Sequence, residues 1–374
     1  MALHDKLRAE RTRRGWTRLE MARRLTPHVS DQCPDLDTLQ AYVKRWEAGK
    51  VGISERYRFA YAATFETDLD ALPDPTGDLN PDDEERLIKA AQRPFRVDAS
   101  VIELFATILA AQRRTEDVIG SGPLLGPVRA QLTMMEQLIA EARGTIRTSL
   151  LDVGAQWGQF AGWLHAGNNQ ADRAMAYLGT TLDWATETGD RAMVGAVMSW
   201  KGYVAERAGQ VGAMIGLSQV GQRSRDRGGR VYDLYQEARG HALRGSADQV
   251  DRLVDEAAEE AEQLTPEDIR PWEYYYLTPG FFTMEHGVAY RILGRSLPDR
   301  NADAIEYLTQ GLSSLPVEMR GSEWSGEFIY QLGRAHLQAG ERDEAGRLAG
   351  ELTSLGERLG SDRLIRQAEA LAAV

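Results

Sequence analysis

Apolar residues recur three and four positions apart along most of the chain, which is the spacing of one face of an α-helix. Beyond Ala99 the pattern is clearest at Val101, Leu104, Phe105, Ile108 and Leu109, and β-branched runs of strand length are missing. The pattern therefore predicts an all-α protein. At the N-terminus it predicts four helices, at His4–Arg14, Arg18–Leu25, Leu36–Ala48 and Ser54–Phe65.

The C-terminal part repeats a helical hairpin. Residues at the predicted helix contacts, most of them small, stand twelve positions apart, in the pairs Gly162 and Ala174, Gly202 and Met214, Ala238 and Val250, and Gly333 and Ala345. A fifth pair, Gly287 and Ala304, fits if its turn is about five residues longer. Neighbouring hairpins of this kind bury each other's apolar faces and form a concave surface for a ligand.

A short segment rich in proline separates the two parts. Residues 71–81 contain three prolines and one glycine and show no hydrophobic period, which is typical of a linker. We therefore expect an N-terminal domain at 1–70, a linker at 71–81 and a helical-repeat domain at 82–374. The repeat domain begins with a short predicted helix at Asp82–Gln92, whose first residues are acidic, as a helix N-terminus favours.

The charge is divided unevenly between these parts. Residues 1–58 hold thirteen Lys and Arg against eight Asp and Glu, a formal charge of +5, which leaves −17 for the rest of a chain whose total is −12. A basic N-terminal domain on an acidic remainder indicates that the domain binds phosphate while the remainder repels it.

The N-terminal helices resemble the Cro/C1-type helix-turn-helix of the XRE family of transcriptional regulators. The third helix ends in Arg45-Trp46-Glu47-Ala48-Gly49, and about eleven extra residues precede Leu36, as in an actinobacterial long-turn form. The resemblance implies that the third helix enters the major groove of an operator, in double-stranded DNA, and that the protein binds as a homodimer.

The third helix has an apolar stripe and a polar face. Leu39, Val43 and Trp46 form the predicted buried stripe, which turns the polar face outward. On the family motif, Gln40, Ala41, Tyr42 and Arg45 fall at base-reading positions with Lys44 flanking, and Arg18 and Lys50 at phosphate contacts. Glu47 matches a residue that forms a structural ion pair with the position of Arg11. The alternative for each Lys or Arg is a solvated surface charge.

The hairpins resemble tetratricopeptide repeats, so the fold class expected is an N-terminal helix-turn-helix followed by an α-solenoid. Such a domain, joined to this helix-turn-helix, implies dimerisation and sensing of a peptide, small-molecule or protein signal. The repeat register places the following side chains on inner helices as ligand contacts: Gln159, Trp163, Tyr203, Tyr235, Arg239, Arg291, Tyr330 and Arg334. This combination of domains resembles the peptide-sensing quorum regulators of Gram-positive bacteria, in which asparagines on inner helices often grip the peptide backbone. The four asparagines of this chain, Asn80, Asn168, Asn169 and Asn301, are predicted in linkers or turns, which argues against a peptide held in that way.

Residues 272–286 are unusually aromatic and are interrupted by Pro279-Gly280. This segment either walls a ligand pocket or packs between hairpins. Both interpretations remain open at this point.

The sequence offers no catalytic motif or metal site. The six histidines are scattered, the chain has one cysteine, Cys33, and no phosphate-binding glycine loop occurs. We expect no enzyme activity, no cofactor, no metal and no membrane span, and a cytoplasmic location. The leading hypothesis is a sequence-specific transcriptional regulator. The alternative is a protein-interaction scaffold whose helix-turn-helix is degenerate or only tethers it.

Overall fold

The fold is helical throughout the part of the chain that can be described. The computed structural model describes residues 3–29, 34–48, 53, 55–65, 67, 99–224 and 226–373. Every regular element in these ranges is a helix, which confirms the all-α class. The chain forms two compact units, Met1–Arg96, here called the head, and Val97–Val374, here called the body. Within the same ranges no helix is both long and apolar enough to cross a bilayer.

The described residues of the head form four α-helices: α1 (Leu3–Arg13), α2 (Arg18–Leu25), α3 (Leu36–Glu47) and α4 (Glu55–Phe65). These bounds confirm the four predicted helices to within one residue at each end. Side chains fix two of the starts, because Thr17 accepts from the backbone N–H of Glu20 and Asp35 from that of Thr38. The predicted linker at 71–81, the predicted helix at Asp82–Gln92 and residues 30–33 of the long turn lie outside the described residues.

The body is a series of long helices joined by short turns. Its α-helices are α5 (Ala99–Ile119), α6 (Leu125–Glu141), α7 (Gly144–Gly167), α8 (Ala171–Thr188), α9 (Arg191–Arg207), α10 (Val211–Ser224), α11 (Arg227–Leu243), α12 (Ala247–Ala261), α13 (Phe281–Leu293), α14 (Arg300–Ser314), α15 (Glu323–Ala339), α16 (Arg342–Leu359) and α17 (Asp362–Ala372). A 3-10 segment, Pro271–Leu277, lies between α12 and α13. Asn301 lies in the first turn of α14, so the expectation that it falls in a turn is wrong.

The predicted hairpins are present. Helices α7 and α8, α9 and α10, α11 and α12, α13 and α14, and α15 and α16 pack as consecutive pairs. Close packing explains two of the glycines, since a Cβ at Gly162 would lie 2.8 Å from the Leu178 side chain and one at Gly287 would lie 2.7 Å from Leu308. Gly333 differs from the prediction, because its nearest neighbour is Leu371 of α17 rather than Ala345.

Helix α5 closes the inner side of the body. It packs against α7 near the start of the solenoid and also against α15 and α16 near its end. Just after α5, the backbone N–H of Ser121 donates to Glu323 Oε2 at 2.9 Å, and within α5 Asp117 accepts from the Tyr274 hydroxyl. The concave surface that the repeats predict is therefore covered by α5 and by Pro271–Leu277.

Candidate functional site

The outer face of α3 is the first candidate site. Leu39, Val43 and Trp46 are buried in the core of the head, as the apolar stripe predicts. On the other side of the helix Ala41, Lys44 and Arg45 are exposed and Gln40 is partly exposed. Arginine and lysine can pair with guanine, and glutamine with adenine, in the major groove. The local sequence thus gives α3 a rigid apolar side and a polar side of base-reading chemistry.

Glu47 holds the first three helices of the head together. Its carboxylate is fully buried and accepts from Arg11 of α1 through both oxygens, the Arg11 Nη2 bond to Oε2 measuring 2.9 Å. Arg18 of α2 donates to the same Oε2 at 3.1 Å. The Arg11 pair confirms the predicted structural ion pair. The contact from Arg18 is an addition that the sequence did not reveal.

The predicted DNA contacts divide into four groups: four residues on the outer face of α3, Tyr42, Arg18, and Lys50. Gln40, Ala41, Lys44 and Arg45 remain on the outer face. Tyr42 does not share that position, because its ring is half-buried against Trp46 and Tyr57, with centroids 5.6 and 6.3 Å away.

Arg18 keeps 42% of its side chain exposed while it pairs with Glu47, so its proposed phosphate contact would come from the outer part of a guanidinium already held in place. Lys50 lies outside the described residues.

The second candidate site is a cavity at the centre of the body. It is open to solvent, and its empty volume of about 920 Å³ includes the space at its mouth. Side chains from α5, α7, α9, α11, α13, α15 and α17, here called the inner helices, line it together with the 3-10 segment. Eleven of its eighteen lining residues are aromatic: Phe160, Trp163, Trp200, Tyr203, Tyr232, Trp272, Tyr274, Tyr275, Phe281, Trp324 and Phe328.

Two groups of rings stand out in the cavity wall. Trp163, Trp200 and Tyr203 form a cluster, here called the aromatic trio, with centroids 5.0 to 6.2 Å apart and part of each side chain exposed. The guanidinium of Arg113 lies over the rings of Phe160 and Trp272 at 5.5 and 5.4 Å. Burial lowers the pKa of Arg113 to about 10, which leaves it charged at neutral pH.

Two of the four cavity carboxylates have guanidinium partners. Glu285 pairs with Arg239, which also contacts Glu206 at 3.2 Å. Glu327 accepts from Arg363 Nη1 at 2.7 Å and from Gln367 at 2.9 Å. Burial raises the pKa of Glu327, but Arg363 and the amide donors outweigh it, so the net shift is downward.

The other two carboxylates, on α5, have no such partner. Glu116 is 7% exposed and accepts from the Trp163 indole N–H at 3.3 Å, and Asp117 accepts from the Tyr274 hydroxyl. Among the described side chains, no Lys, Arg or His lies within ion-pair distance of either one. Burial, with the nearby Asp117 and Glu323 carboxylates, raises the pKa of Glu116 to about 8. Burial also raises the pKa of Asp117, against the hydrogen bond from Tyr274.

Three of the eight predicted ligand contacts line the cavity: Gln159, Trp163 and Tyr203. The remaining five do not. Tyr235 is 1% exposed and stacks on Phe282, so it belongs to the core. Arg239 is buried behind the cavity wall, where its ion pairs with Glu206 and Glu285 occupy it.

The last three predicted contacts lie nearer the C-terminal ends of α13 and α15. Arg291 is 5% exposed, and burial together with Arg295 and Arg334 lowers its pKa to about 10. Arg334 donates to the Tyr330 hydroxyl one turn earlier at 3.0 Å and covers its ring. None of these three lines the cavity.

The aromatic segment 272–286 both lines the cavity and packs in the core of the body. Trp272, Tyr274, Tyr275 and Phe281 line the cavity together with Glu285. Tyr276 and Phe282 instead pack in the hydrophobic core of the body.

The repeat register missed the α5 wall. Arg113, Glu116 and Asp117 lie outside every predicted hairpin and have the spacing of an ordinary solvated helix face, so only the closure of the body brings them to the cavity.

Comparison with known proteins gives little further information. No family model matches the sequence, and none of the curated proteins matches it. Among solved structures the chain is similar to the one described as the crystal structure of Bacillus thuringiensis PlcR in complex with the peptide PapR7 and DNA. That likeness has a TM-score of 0.37 and 13% identity, and it covers 100% of this chain and 99% of the other. At this level it carries no weight for the function of the chain.

Proposed function

We propose that the protein is a sequence-specific DNA-binding transcriptional regulator that acts as a homodimer and whose body senses a small molecule. The head resembles the Cro/C1-type helix-turn-helix of the XRE family, and the body resembles tetratricopeptide repeats. The observation that carries the proposal is the outer face of α3, where Gln40, Lys44 and Arg45 stand on a helix whose other side is fixed in the core.

The geometry of α3 suits a recognition helix. The ion pairs from Glu47 to Arg11 and Arg18 tie α3 to α1 and α2, so the three helices would approach DNA as one rigid unit. In a dimer, two such helices about 34 Å apart would read two half-sites on one face of the duplex. The outer part of Arg18 and Lys50 would contact phosphates and set the register.

The charge distribution supports the same assignment. The formal charge of +5 on residues 1–58 attracts the phosphate backbone, and the −17 of the remainder keeps the body away from it.

The cavity supports a small-molecule effector. The cavity between the inner helices and the 3-10 segment is lined mainly by aromatic side chains with a few charged groups, which is the character of a small-molecule site. A ligand that contacts helices from both ends of the solenoid would favour one packing of the hairpins over another. Regulation would then be a shift between two populations of the dimer that differ in operator affinity.

Selection of binding sites from a random duplex pool by the full-length protein tests the proposal. We expect enrichment of one partly palindromic sequence, bound in a complex whose mass by light scattering corresponds to two chains. Arg45→Ala should weaken binding to that sequence by about 1–3 kcal/mol and relax the preference at one base pair in each half-site. The matched control is Arg347→Ala, an exposed arginine on the outer helix α16, which should leave binding unchanged.

Two results would contradict the proposal. One is a pool without any enriched sequence at low salt. The other is equal loss of affinity for selected and random duplexes in Gln40→Ala and Arg45→Ala, which would leave only nonspecific phosphate binding and favour a scaffold role.

A further inference from the structure

The cavity of the body contains a buried acidic side chain with no cationic group within ion-pair distance among the described residues. Glu116 lies on α5 and lines the cavity, and 7% of the surface of this residue is exposed to solvent. Its one hydrogen bond is from the Trp163 indole N–H. A buried carboxylate normally has a cationic partner, because removing it from water is otherwise costly. Over the residues that the structure describes, Glu116 has none.

The other two cavity carboxylates already have guanidinium partners. Glu327 and Arg363 pair with each other, and Glu285 pairs with Arg239. Arg113 is stacked over two rings and donates through Nη2 to the Gln156 carbonyl and to Gln159 Oε1 at 3.1 and 3.0 Å. Arg113 therefore remains a cation on α5. Glu116 and Asp117, three and four positions further along the same helix, are the cavity carboxylates without an ion-pair partner among the described residues.

The surroundings of Glu116 have the second feature of a cation site. The indole that donates to Glu116 belongs to the aromatic trio, whose rings line the cavity. The Arg207 guanidinium already lies 5.7 Å from the centroid of the Tyr203 ring, which leaves the rings of Trp163 and Trp200 for a ligand. The faces of tryptophan and tyrosine rings attract an ammonium group within about 6 Å, most strongly where water is excluded. A carboxylate next to a cluster of such rings is the arrangement that stabilises an organic cation.

We propose that the cavity binds an organic cation, an ammonium group on an apolar body, with Glu116 as its counter-ion and the rings of Trp163 and Trp200 around its charged end. The remaining aromatic wall, which includes Phe281, Trp324 and Phe328, would enclose the apolar body. This inference rests on the proposed function only for its regulatory meaning, since ligand binding itself requires no DNA.

Proton release is a consequence of this arrangement. An empty cavity keeps Glu116 largely protonated at neutral pH, because burial raises its pKa to about 8. A bound cation favours the carboxylate, so its affinity should rise with pH and level off above about pH 8. Four other titratable or charged groups interact electrostatically with Glu116. They are Asp117 on α5, Glu323 on α15, Arg363 on α17 and Tyr274 on the 3-10 segment.

Three probes of nearly the same shape test the inference on the full-length protein. They are phenyltrimethylammonium, the neutral tert-butylbenzene and the anionic benzenesulfonate, with binding followed by tryptophan fluorescence and calorimetry. We expect phenyltrimethylammonium to bind at least tenfold more tightly than either of the others. Because its charge is fixed, its affinity should increase severalfold from pH 6 to pH 8.5.

Variants locate the site. Glu116→Gln keeps the shape and the indole contact, and it should weaken the ammonium probe at least tenfold and remove the pH dependence. Trp200→Leu, a second variant on another helix, should weaken the ammonium probe more than the neutral one. Glu103→Gln, an exposed acid on the same helix α5, is the matched control and should change nothing.

The inference is overturned if the neutral or anionic probe binds as well as the ammonium, if no probe binds, or if Glu116→Gln binds the ammonium as wild type does. Operator selection is measured separately. A protein that selects an operator but ignores the cation would therefore refute the inference alone, and one that binds the cation without selecting DNA would refute the proposed function alone.

Discussion

Two buried glutamates, one in each unit, show how differently the protein treats a carboxylate removed from water. Glu47 of the head is fully buried and accepts from Arg11 and Arg18, so its charge is balanced within the fold. Glu116 of the body is nearly as buried but has an indole N–H as its hydrogen-bond donor. A balanced charge stabilises the arrangement of helices around it, whereas a buried carboxyl without a cationic partner keeps its proton to higher pH and costs stability once it ionises.

The largest effect is expected at Glu47. Glu47→Ala leaves the guanidinium groups of Arg11 and Arg18 without a partner at the junction of α1, α2 and α3, and removing one member of a buried pair typically costs about 3–5 kcal/mol. We expect α1 to α4 to lose protection in hydrogen exchange while the body keeps it. Full protection of α3 in Glu47→Ala would show that the pair contributes little.

An effect of opposite sign is expected at Glu116. The ordinary pKa of a glutamate is near 4.5, and in the folded body that of Glu116 is raised to about 8. The unfolded chain therefore releases this proton first, and stability falls as pH rises from about 4.5 to about 8. Glu116→Gln removes that loss, so it should stabilise the body at pH 8 by about 4 kcal/mol and have no effect near pH 4. Urea unfolding at both pH values measures the difference, and equal free energies for wild type and variant at pH 8 would contradict it.

Much of the head could be predicted from its sequence because its structure depends on local signals. The helix bounds follow from hydrophobic spacing and from the capping residues Thr17 and Asp35. The contact between Arg11 and Glu47, 36 residues apart, came from a family resemblance and not from spacing. Tyr42 shows the limit, because a position on the motif does not reveal that neighbouring rings will hold its side chain.

The cavity of the body could be predicted only in part. The repeat register identified Gln159, Trp163 and Tyr203, which lie in the first inner helices of the solenoid. It failed for Tyr235 and Arg239, because hairpins turn relative to one another along a solenoid and the same register position gradually leaves the cavity. It could not find Glu116, because the contact of α5 with both ends of the solenoid joins residues more than 200 positions apart.

A third buried titratable group, His286, makes the stability of the body depend on pH in the acidic range. It stacks on Tyr307 with ring centroids 4.1 Å apart, and burial lowers its pKa to about 4. A histidine held neutral in the fold loses stability as pH falls from about 6.5 towards 4, which is the reverse of the trend for Glu116. The two trends offset each other between pH 4.5 and 6.5. In the Glu116→Gln background, we expect His286→Phe to reduce the difference in unfolding free energy between pH 4.5 and pH 6.5 by about 1–2 kcal/mol. Urea unfolding at the two pH values measures this difference. An unchanged slope in the double variant would assign the acid sensitivity to other groups.

The smallest effect is expected for a glutamate that forms its ion pair on the solvent-exposed surface. Glu20 accepts from Arg24 at 3.0 Å on the surface of α2, and both side chains are exposed by more than a third. Exposed pairs of this kind contribute about 0–1 kcal/mol, because water solvates the separated charges nearly as well. Glu20→Gln should therefore change the unfolding free energy of the head by less than about 0.5 kcal/mol and should leave α3 protected from hydrogen exchange. A loss comparable to that of Glu47→Ala would mean that α2 depends on any acid in its neighbourhood. In that case the burial of the Glu47 ion pairs would not explain why Glu47 holds the head together.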